Sequence, residues 1–393
     1  MIKVVYIITN ELMYGDNIAL FKILPHLIEK GINPLIVLPA KGKPIEYIKK
    51  TQLPYITYNF KISNTYPSLY HPKSAIRFYV KKFIHIFFRN IKFDKLVEQV
   101  AEFHPDIIHT NNSFCLIGYL LSQKLNIPHI WHIREYGRLD ANRYYYPSKN
   151  SFTKKIERNN SYAITITQQI KEYFNLSDSH AISIYDGVFS IKTHVELHTH
   201  KENYFLYVGR IFAPKGIEEL IEEFIKYYKQ GGKSELWIAG STTDISYMKK
   251  IQHLVQHKDT ENKIKFIGYR NDVYALMSKA KAIIVPSRFE AFGFITAEAL
   301  LNGCPVIGRY TAGTAEQFDN LTNATTHGNE YCLPFTDNNE ISGLLHKADN
   351  KSYTPISLTE IHQYIISKYS SEKSAEEVYN WYNNISNKSV KNK

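Results

Sequence analysis

Residues 281–294 read KAIIVPSRFEAFGF, and this stretch decides how the chain is expected to fold. The apolar run from Lys281 to Ser287 is typical of a buried strand. The loop after it reaches Gly293, before a short helical segment that ends at Gly303. A strand followed by a loop and a helix forms one βα unit of a parallel sheet. The start of such a helix presents free backbone N–H groups and the positive end of the helix dipole, so the stretch predicts an anion-binding junction.

Apolar runs of the same kind lie on both sides of this stretch and alternate with segments of helical period. The alternation indicates an α/β fold built from βαβ units around parallel sheets. Further strands are predicted at 2–9, 33–38, 106–110, 128–133, 162–166, 181–185, 204–209, 234–240, 263–267 and 304–308. Parallel sheets bind ligands at the carboxyl ends of their strands, and we expect the site in a central cleft that two such domains face.

The alternation is interrupted at 190–203, where histidines and mixed charges replace large apolar residues. A chain of 393 residues is longer than one hydrophobic core usually organises. We therefore predict an N-terminal Rossmann-like domain at 1–190, a linker at 191–203 and a C-terminal Rossmann-like domain at 204–370. We expect the helix of the final segment, 371–393, to pack back on the first domain.

Composition restricts the partners and the compartment. The formal net charge of +11 indicates acidic partners, among which nucleic acid, anionic lipid and phosphorylated small molecules all qualify. The three cysteines, Cys115, Cys304 and Cys332, are widely separated and lack metal-ligand spacing, which favours a reducing compartment. Apolar runs are shorter than the roughly 18 residues of a membrane span, and the N-terminus lacks the features of a signal peptide. We expect a cytoplasmic protein.

The stretch after Ser287 carries two glutamates, Glu290 and Glu298, eight residues apart. Such a pair is weak evidence by itself, since most glutamates are solvated surface residues. Together with the flanking segment 303–308, GCPVIG, however, this stretch resembles the E-x7-E signature of glycosyltransferase family 4, a family of retaining enzymes with the GT-B fold.

The resemblance implies roles for the residues of the motif. Glu298 is expected to hold the ribose hydroxyls of a nucleotide, and Glu290 to lie beside the donor sugar near the reacting carbon as a catalytic residue. The backbone around Gly293, Phe294 and Ile295 is expected to contact the phosphate and the sugar.

A second match follows the first strand of the C-terminal domain, where residues 208–216 read VGRIFAPKG. Arg210 and Lys215 resemble the diphosphate clamp of the same family. A departing nucleoside diphosphate gains negative charge in the transition state, and fixed cations stabilise that charge.

Three further segments match the family in part. Gly15 retains one glycine of a turn expected near the donor phosphates, while Tyr14 occupies the place of the other. Asp186 stands where many relatives carry asparagine, and residues 311–316, TAGTAE, keep part of a Gly-Gly-x-x-Glu loop. The consequences of these departures are open at the level of sequence.

Residues 129–137, HIWHIREYG, end another predicted strand. His132 resembles the catalytic-cleft histidine of the family, which lies near the donor sugar. A single histidine at a strand end is otherwise more often structural. Arg134 and Glu135 are then expected to face the acceptor.

The resemblance implies transfer of a sugar from a nucleotide-diphosphate sugar, a UDP- or GDP-sugar, to a glycan or lipid-linked saccharide acceptor, with retention of anomeric configuration. It also suggests a role in bacterial surface polysaccharide synthesis, such as capsule or lipopolysaccharide. No Asp-x-Asp occurs in the sequence. Because such a carboxylate pair commonly holds a divalent ion against a diphosphate, we expect activity without a metal or other cofactor.

Residues 73–95 combine apolar residues at helical spacing with interleaved lysines and arginines. A basic amphipathic helix of this kind can lie on an anionic membrane, which would place the enzyme peripherally on the inner face of the cell membrane. An ordinary helix with its apolar side in the core remains equally open. Nucleic acid is not expected as a partner, because no recognised binding module accompanies the charge.

Two other functions remain open from the sequence. One is a sugar-nucleotide epimerase on a similar scaffold, and the other is a catalytically silent nucleotide-sugar-binding protein. The presence of Glu290, Glu298, Arg210 and Lys215 argues against loss of activity, and measured turnover distinguishes an enzyme from a binding protein.

Overall fold

The computed structural model describes residues 1–60, 65–67, 90–158, 160–256 and 262–391. The chain divides into two compact units. Unit 1 comprises Met1–Gly187 and Ser371–Lys393, and unit 2 comprises Val188–Ser370. Most of the basic segment predicted at 73–95 lies outside the described residues, so its membrane role stays a prediction.

Unit 1 is built on a seven-stranded sheet with the order β3-β2-β1-β5-β6-β8-β9, in which every recorded pair is parallel. Its strands are β1 (Ile2–Ile7), β2 (Ile32–Leu38), β3 (Tyr55–Thr57), β5 (Ile107–Thr110), β6 (His129–Ile133), β8 (Ser161–Thr165) and β9 (Ala181–Ser183). The short strands β4 (Thr65–Pro67) and β7 (Arg143–Tyr145) form a separate antiparallel pair.

Within the described residues, the helices of unit 1 are Gly15–Glu29, Lys43–Thr51, Asn90–Glu102, Ile117–Leu125, Arg138–Ala141, Lys149–Ile156, Gln168–Tyr173 and Ser371–Lys391. The last helix belongs to unit 1 because Ala375, Val378, Tyr382 and Ile385 recur at spacings of three and four residues and so share one face. All four are buried in the same apolar cluster as Leu20 of the first helix. Burial of each large apolar side chain contributes about 1.5–3 kcal/mol.

Unit 2 is built on a six-stranded parallel sheet with the order β12-β11-β10-β13-β14-β15. Its strands are β10 (Tyr204–Val208), β11 (Glu235–Ala239), β12 (Ile264–Gly268), β13 (Ile283–Val285), β14 (Val306–Arg309) and β15 (Cys332–Phe335). Its α-helices are Ile217–Lys229, Ile245–Gln256, Val273–Lys279, Phe294–Leu301, Ala312–Ala324, Gly328–Tyr331, Glu340–Asp349 and Pro355–Tyr369, and a 3₁₀ turn covers Ala213–Lys215.

The prediction of two parallel-sheet α/β domains is confirmed. Within 191–203, predicted as a linker, Lys201 is buried in unit 2 and its ammonium donates to the carbonyls of Ser278 and Gly303, at 2.7 and 2.8 Å. Burial lowers the pKa of Lys201 to about 8. This cation satisfies carbonyls at the carboxyl ends of two helices, where the helix dipole favours positive charge.

No helix in the described part of the chain is long and apolar enough to cross a membrane.

Candidate functional site

In unit 2, the loop after β13 leads directly into the helix Phe294–Leu301. Gly293 precedes the helix with φ of 91°, a left-handed conformation that glycine adopts most readily. The side-chain amide of Gln317 donates to the carbonyls of Phe292 and Gly293, at 2.6 and 3.1 Å. The loop is therefore held from the neighbouring helix, Ala312–Ala324, and the start of the next helix has a fixed position.

The turn Ala213–Lys215 packs against this loop through backbone contacts. A Cβ atom on Gly216 would lie 2.3 Å from the carbonyl oxygen of Pro286, so only glycine permits the approach. The backbone N–H of Arg288 donates to the carbonyl of Pro214 at 3.0 Å. These contacts bring two predicted site residues together: the ammonium of Lys215 lies 2.5 Å from a carboxylate oxygen of Glu290.

The ion pair is accessible to a ligand, because its side chains are 26% and 22% exposed. A lysine ammonium has three N–H donors, so Lys215 can contact Glu290 and still donate to phosphate oxygens. Arg210, the other predicted cation, is exposed, and its guanidinium lies 5.8 Å from the ring centre of Phe212. The hydroxyl of Tyr207 donates to the backbone carbonyl of Arg210 at 2.8 Å and so fixes the backbone at this position.

Glu298 lies in the middle of the helix Phe294–Leu301 and is partly buried. One of its carboxylate oxygens accepts a hydrogen bond from the hydroxyl of Tyr274 at 3.4 Å. Burial raises the pKa of Tyr274 above its ordinary value, and the neighbouring Glu298 adds to this effect, so the phenol remains a donor. Sequence reasoning missed Tyr274, because its helix reaches Glu298 only through tertiary packing.

The incomplete glycine motif at 311–316 supports the same loop. Ala312 has φ of 45°, which places a non-glycine residue in the left-handed region. A Cβ on Gly313 would lie 2.3 Å from the carbonyl oxygen of Phe292, and the N–H of Gly313 donates to the carbonyl of Glu290 at 2.9 Å. Gly313, the glycine that the motif retains, is therefore the one that the close contact with Phe292 requires. Ala312 adopts the strained left-handed conformation.

In unit 1, polar side chains collect around the carboxyl end of β6. His132, at 2% exposure, contacts two of them through Nδ1: His109 Nε2 at 3.1 Å and the guanidinium of Arg134 at 3.3 Å. Arg134 forms a buried ion pair with Asp186, and it also donates to the side chain of Asn111 at 3.4 Å. Nε2 of His132 lies 4.0 Å from Asp186 and makes no hydrogen bond within the described residues.

Asp186, which stands where many relatives carry asparagine, pairs with Arg134 in the structure. Its carboxylate supplies the negative charge that the buried Arg134 needs, which a neutral asparagine does not. The neighbouring Gly187 is also fixed by packing, because a Cβ there would lie 2.6 Å from the Cα of Ser371 at the start of the last helix. The guanidinium of Arg134 lies in this buried pair. Its predicted contact with an acceptor is untested and stays a prediction.

Electrostatics keep the histidines of this cluster uncharged. Burial lowers the pKa of His132 well below its ordinary value, and the nearby Arg134 lowers it further. The same two causes lower the pKa of His109 to about 3. Neutral imidazole has one donor and one acceptor nitrogen, so each ring carries its proton on either Nδ1 or Nε2.

Glu135 faces a different polar group. Its carboxylate accepts hydrogen bonds from the hydroxyl and the backbone N–H of Ser113, at 2.8 and 3.3 Å. Burial, together with the negative charges of Asp16 and Asp140, raises the pKa of Glu135 to about 8. A protonated Glu135 can therefore donate a hydrogen bond near neutral pH, although its predicted contact with an acceptor stays untested.

Gly15 begins the helix Gly15–Glu29, and the start of a helix presents backbone N–H groups. Tyr14, in the place of the second glycine, has φ of −86° and is half exposed, so this backbone does not require glycine there. Asp16 is anchored by a hydrogen bond from the side chain of Asn10 at 2.6 Å, and its carbonyl accepts from Asn111 at 2.9 Å.

Among the described residues, no group of three or more His, Cys, Asp and Glu side chains has an arrangement that could hold a metal ion.

Part of the chain is similar in sequence to known glycosyltransferases. Residues 190–348, most of unit 2, match the family described as glycosyl transferases group 1. An uncharacterized glycosyltransferase of Methanocaldococcus jannaschii is 29% identical over 225 residues, which are 54% of this chain and 58% of the relative. The O-antigen chain mannosyltransferase of Salmonella typhimurium is 32% identical over 146 residues, 36% of this chain and 39% of that protein. The chain thus spans little more than half the length of the first relative.

Solved structures share the fold over nearly the whole chain. Anabaena HepE in complex with UDP and glucose superimposes with a TM-score of 0.70 at 16% identity, covering 97% of this chain and 99% of HepE. A glycosyltransferase from Rickettsia africae gives a TM-score of 0.71 at 15% identity, with 98% of both chains covered. The fold is that of the GT-B glycosyltransferases.

Proposed function

We propose that this chain is a glycosyltransferase that moves a sugar from a UDP- or GDP-sugar to a saccharide or lipid-linked acceptor. One observation carries the proposal: backbone contacts bring the ammonium of Lys215 and the carboxylate of Glu290 together beside the start of the helix Phe294–Leu301. A cation, a carboxylate and a helix N-terminus in one place suit a ligand that joins phosphates to a hydroxylated sugar. The match of residues 190–348 to glycosyl transferases group 1 supports the same function.

Each donor group has a candidate partner in unit 2. The diphosphate takes the charges of Lys215 and Arg210 and the free N–H groups at the start of the helix at Phe294. The ribose hydroxyls donate to the carboxylate of Glu298, which Tyr274 holds in place. Glu290 lies beside the sugar and stabilises positive charge that develops at the reacting carbon.

We propose that transfer proceeds on one face of the sugar, with retention of configuration. The bond between the anomeric carbon and the phosphate oxygen breaks, and the acceptor hydroxyl oxygen forms the new bond to the same carbon. The acceptor proton passes to the leaving phosphate oxygen, so no protein nucleophile is needed. Arg210 and Lys215 stabilise the charge of the leaving diphosphate, and we expect the reaction to proceed without a metal.

The names of the relatives support an acceptor in surface polysaccharide synthesis. They include the O-antigen chain mannosyltransferase of Salmonella typhimurium and the lipopolysaccharide glucosyltransferase of Escherichia coli. We propose a cytoplasmic enzyme that works at the inner face of the cell membrane on an acceptor of this class.

The test is release of nucleoside diphosphate from UDP-glucose, UDP-galactose, UDP-N-acetylglucosamine and GDP-mannose with a chelator present. We expect release from at least one donor by the wild-type protein, and a loss of about 100-fold in Lys215→Gln. Lys226→Gln is the matched control, because Lys226 also pairs with a glutamate at 2.5 Å but lies on the helix Ile217–Lys229. Binding of a nucleotide without release from any sugar donor would instead support the silent binding protein.

A further inference from the structure

Two buried histidines of unit 1, His109 and His132, form one continuous hydrogen-bonded network with two tyrosines. The hydroxyl of Tyr382, on the last helix, lies 2.6 Å from Nδ1 of His109 and 3.2 Å from the hydroxyl of Tyr6. Nε2 of His109 lies 3.1 Å from Nδ1 of His132. The hydrogen-bonded network therefore runs from Tyr6 through Tyr382 and His109 to His132, and Nε2 of His132 is its far end.

Two arrangements of protons fit the contacts of the histidines when the rings are neutral. In the first, Tyr382 donates to His109, which donates through Nε2 to His132, so the proton of His132 is on Nε2. In the second, every bond is reversed: His132 donates from Nδ1 to His109, His109 donates from Nδ1 to Tyr382, and Tyr382 donates to Tyr6. The contact between the two tyrosines has Tyr382 as its donor, which agrees with the second arrangement. In the first arrangement the single hydroxyl proton of Tyr382 goes to His109, and the 3.2 Å contact with Tyr6 is not a hydrogen bond.

Arg134 favours the first arrangement, and its charged donor outweighs the longer contact between two neutral tyrosine hydroxyls. Its guanidinium has only donors, and one of its nitrogens lies 3.3 Å from Nδ1 of His132. A proton on Nδ1 would face the N–H of Arg134, whereas a bare Nδ1 accepts from Arg134 and from His109. The carboxylate of Asp186, 4.0 Å from Nε2, also favours a proton on that nitrogen. Asp186 further holds Arg134 in position through their ion pair.

We propose that Arg134, His109 and Tyr382 are positioning residues that fix the proton of His132 on Nε2, so that His132 donates a hydrogen bond to a sugar oxygen. This inference rests on the proposed function for the nature of the ligand, whereas the position of the proton does not depend on it. His132 then acts as a hydrogen-bond donor and does not serve as a general base. The last helix contributes through the hydroxyl of Tyr382.

The test is the tautomer of His132, measured by ¹⁵N chemical shifts in protein labelled at histidine, with His132→Gln to assign the signals. Protonated and bare nitrogens of a neutral imidazole differ widely in ¹⁵N shift. Between pH 6 and pH 8 we expect Nε2 of His132 to be protonated and Nδ1 to be bare. A proton on Nδ1 in the wild-type protein, or a charged ring, would overturn the proposal.

Two variants test the positioning roles. In Tyr382→Phe, His109 loses the donor at Nδ1, and we expect its ring and that of His132 to show a mixture of tautomers. In the double variant Arg134→Met/Asp186→Asn, which leaves no unpaired charge, we expect a mixture at His132. Tyr162→Phe is the control. Tyr162 is buried against Trp381, which lies on the same helix as Tyr382, and it is not part of the hydrogen-bonded network. Unchanged tautomers in both test variants would contradict the positioning roles.

The activity readout separates this inference from the proposed function. If the wild-type protein turns over a sugar donor, we expect Tyr382→Phe to lower turnover by about tenfold without a change in the pH profile. If no donor is turned over, the proposed function fails, and the ¹⁵N measurement still decides the position of the proton.

Discussion

Two ion pairs, one in each unit, differ in burial, and we expect a structural role for the buried pair and a ligand-binding role for the exposed one. The side chains of Lys215, at the end of a 3₁₀ turn, and Glu290, on a loop, are about a quarter exposed. The side chains of Arg134 and Asp186 are each 4% exposed. A partly exposed pair contributes about 0–1 kcal/mol to stability, since water screens it. Removal of one member of a buried pair leaves an uncompensated charge and costs about 3–5 kcal/mol. The exposed pair is therefore free to serve a ligand, and the buried pair organises its surroundings.

The largest expected effect is on the buried pair. Arg134→Met leaves the carboxylate of Asp186 buried without its cation, and we expect the free energy of unfolding to fall by about 3–5 kcal/mol. The measurement is chemical denaturation. We expect Arg134→Met/Asp186→Asn to recover most of the loss. A single variant as stable as the wild-type protein would show that the pair is not isolated from water.

At the exposed pair, Lys215 and Glu290, we expect a small effect on stability and a large effect on catalysis. We expect Lys215→Gln to change the free energy of unfolding by no more than about 1 kcal/mol, while turnover falls about 100-fold, or about 2.7 kcal/mol of transition-state stabilisation. Denaturation and nucleotide release measure the two effects on the same sample. A loss of stability as large as the loss of catalysis would make Lys215 a structural residue.

The close approach of Gly216 to Pro286, which brings Lys215 to Glu290, can also be tested by measuring both stability and donor binding. Gly216→Ala combines a positive φ of 70° with a Cβ 2.3 Å from the carbonyl oxygen of Pro286, and we expect a loss of about 2–3 kcal/mol in the free energy of unfolding and weaker donor binding. Gly231→Ala is the matched control. Its φ is 93°, but nothing lies within 4 Å of the added Cβ, so we expect about 1 kcal/mol and unchanged binding. Equal losses in the two variants would show that the close approach at Gly216 has no special cost.

The smallest expected effect is a pH dependence that arises beside the buried pair. The pKa of Glu135 is raised to about 8 in the folded protein from an ordinary value of about 4.5. Between these values the folded state binds the proton and the unfolded state does not, so stability falls as pH rises. We expect Glu135 to contribute about 1 kcal/mol to this change in stability, because its side chain is only partly buried and solvent reduces the effect of the pKa shift. Denaturation from pH 4.5 to pH 8 should show a shallower fall in Glu135→Gln; an identical slope would contradict the raised pKa.

The sequence predicted the parallel α/β architecture because long apolar strands and helical periods are local patterns. It missed the three-residue strands β3, β4 and β7, in which pairing with neighbours matters more than the short pattern itself. Strand β15 was missed as well; its sequence, CLPF, contains a proline.

In the candidate site, too, some residues were predicted from local motifs and others are brought in only by tertiary packing. Glu290 and Lys215 were predicted separately, by motif, and the structure shows them in contact. Tyr274 and Gln317 hold Glu298 and the loop before it from other helices, so no spacing in the sequence indicates them. The effect of Asp186 was not predictable because its partner, Arg134, lies 52 residues earlier in the chain.

We propose that unit 2 binds a nucleoside-diphosphate sugar through Glu298 and the loop before its helix. The most direct measurement is calorimetric titration with UDP, GDP, ADP and CMP in the presence of a chelator, on the wild-type protein, Glu298→Gln and the control Glu360→Gln, whose carboxylate pairs with His327. We predict micromolar binding of UDP or GDP by the wild-type and control proteins, and binding at least tenfold weaker in Glu298→Gln. Equal binding by all three proteins, or binding of none of the nucleotides, would show that Glu298 and this loop do not form a nucleotide site.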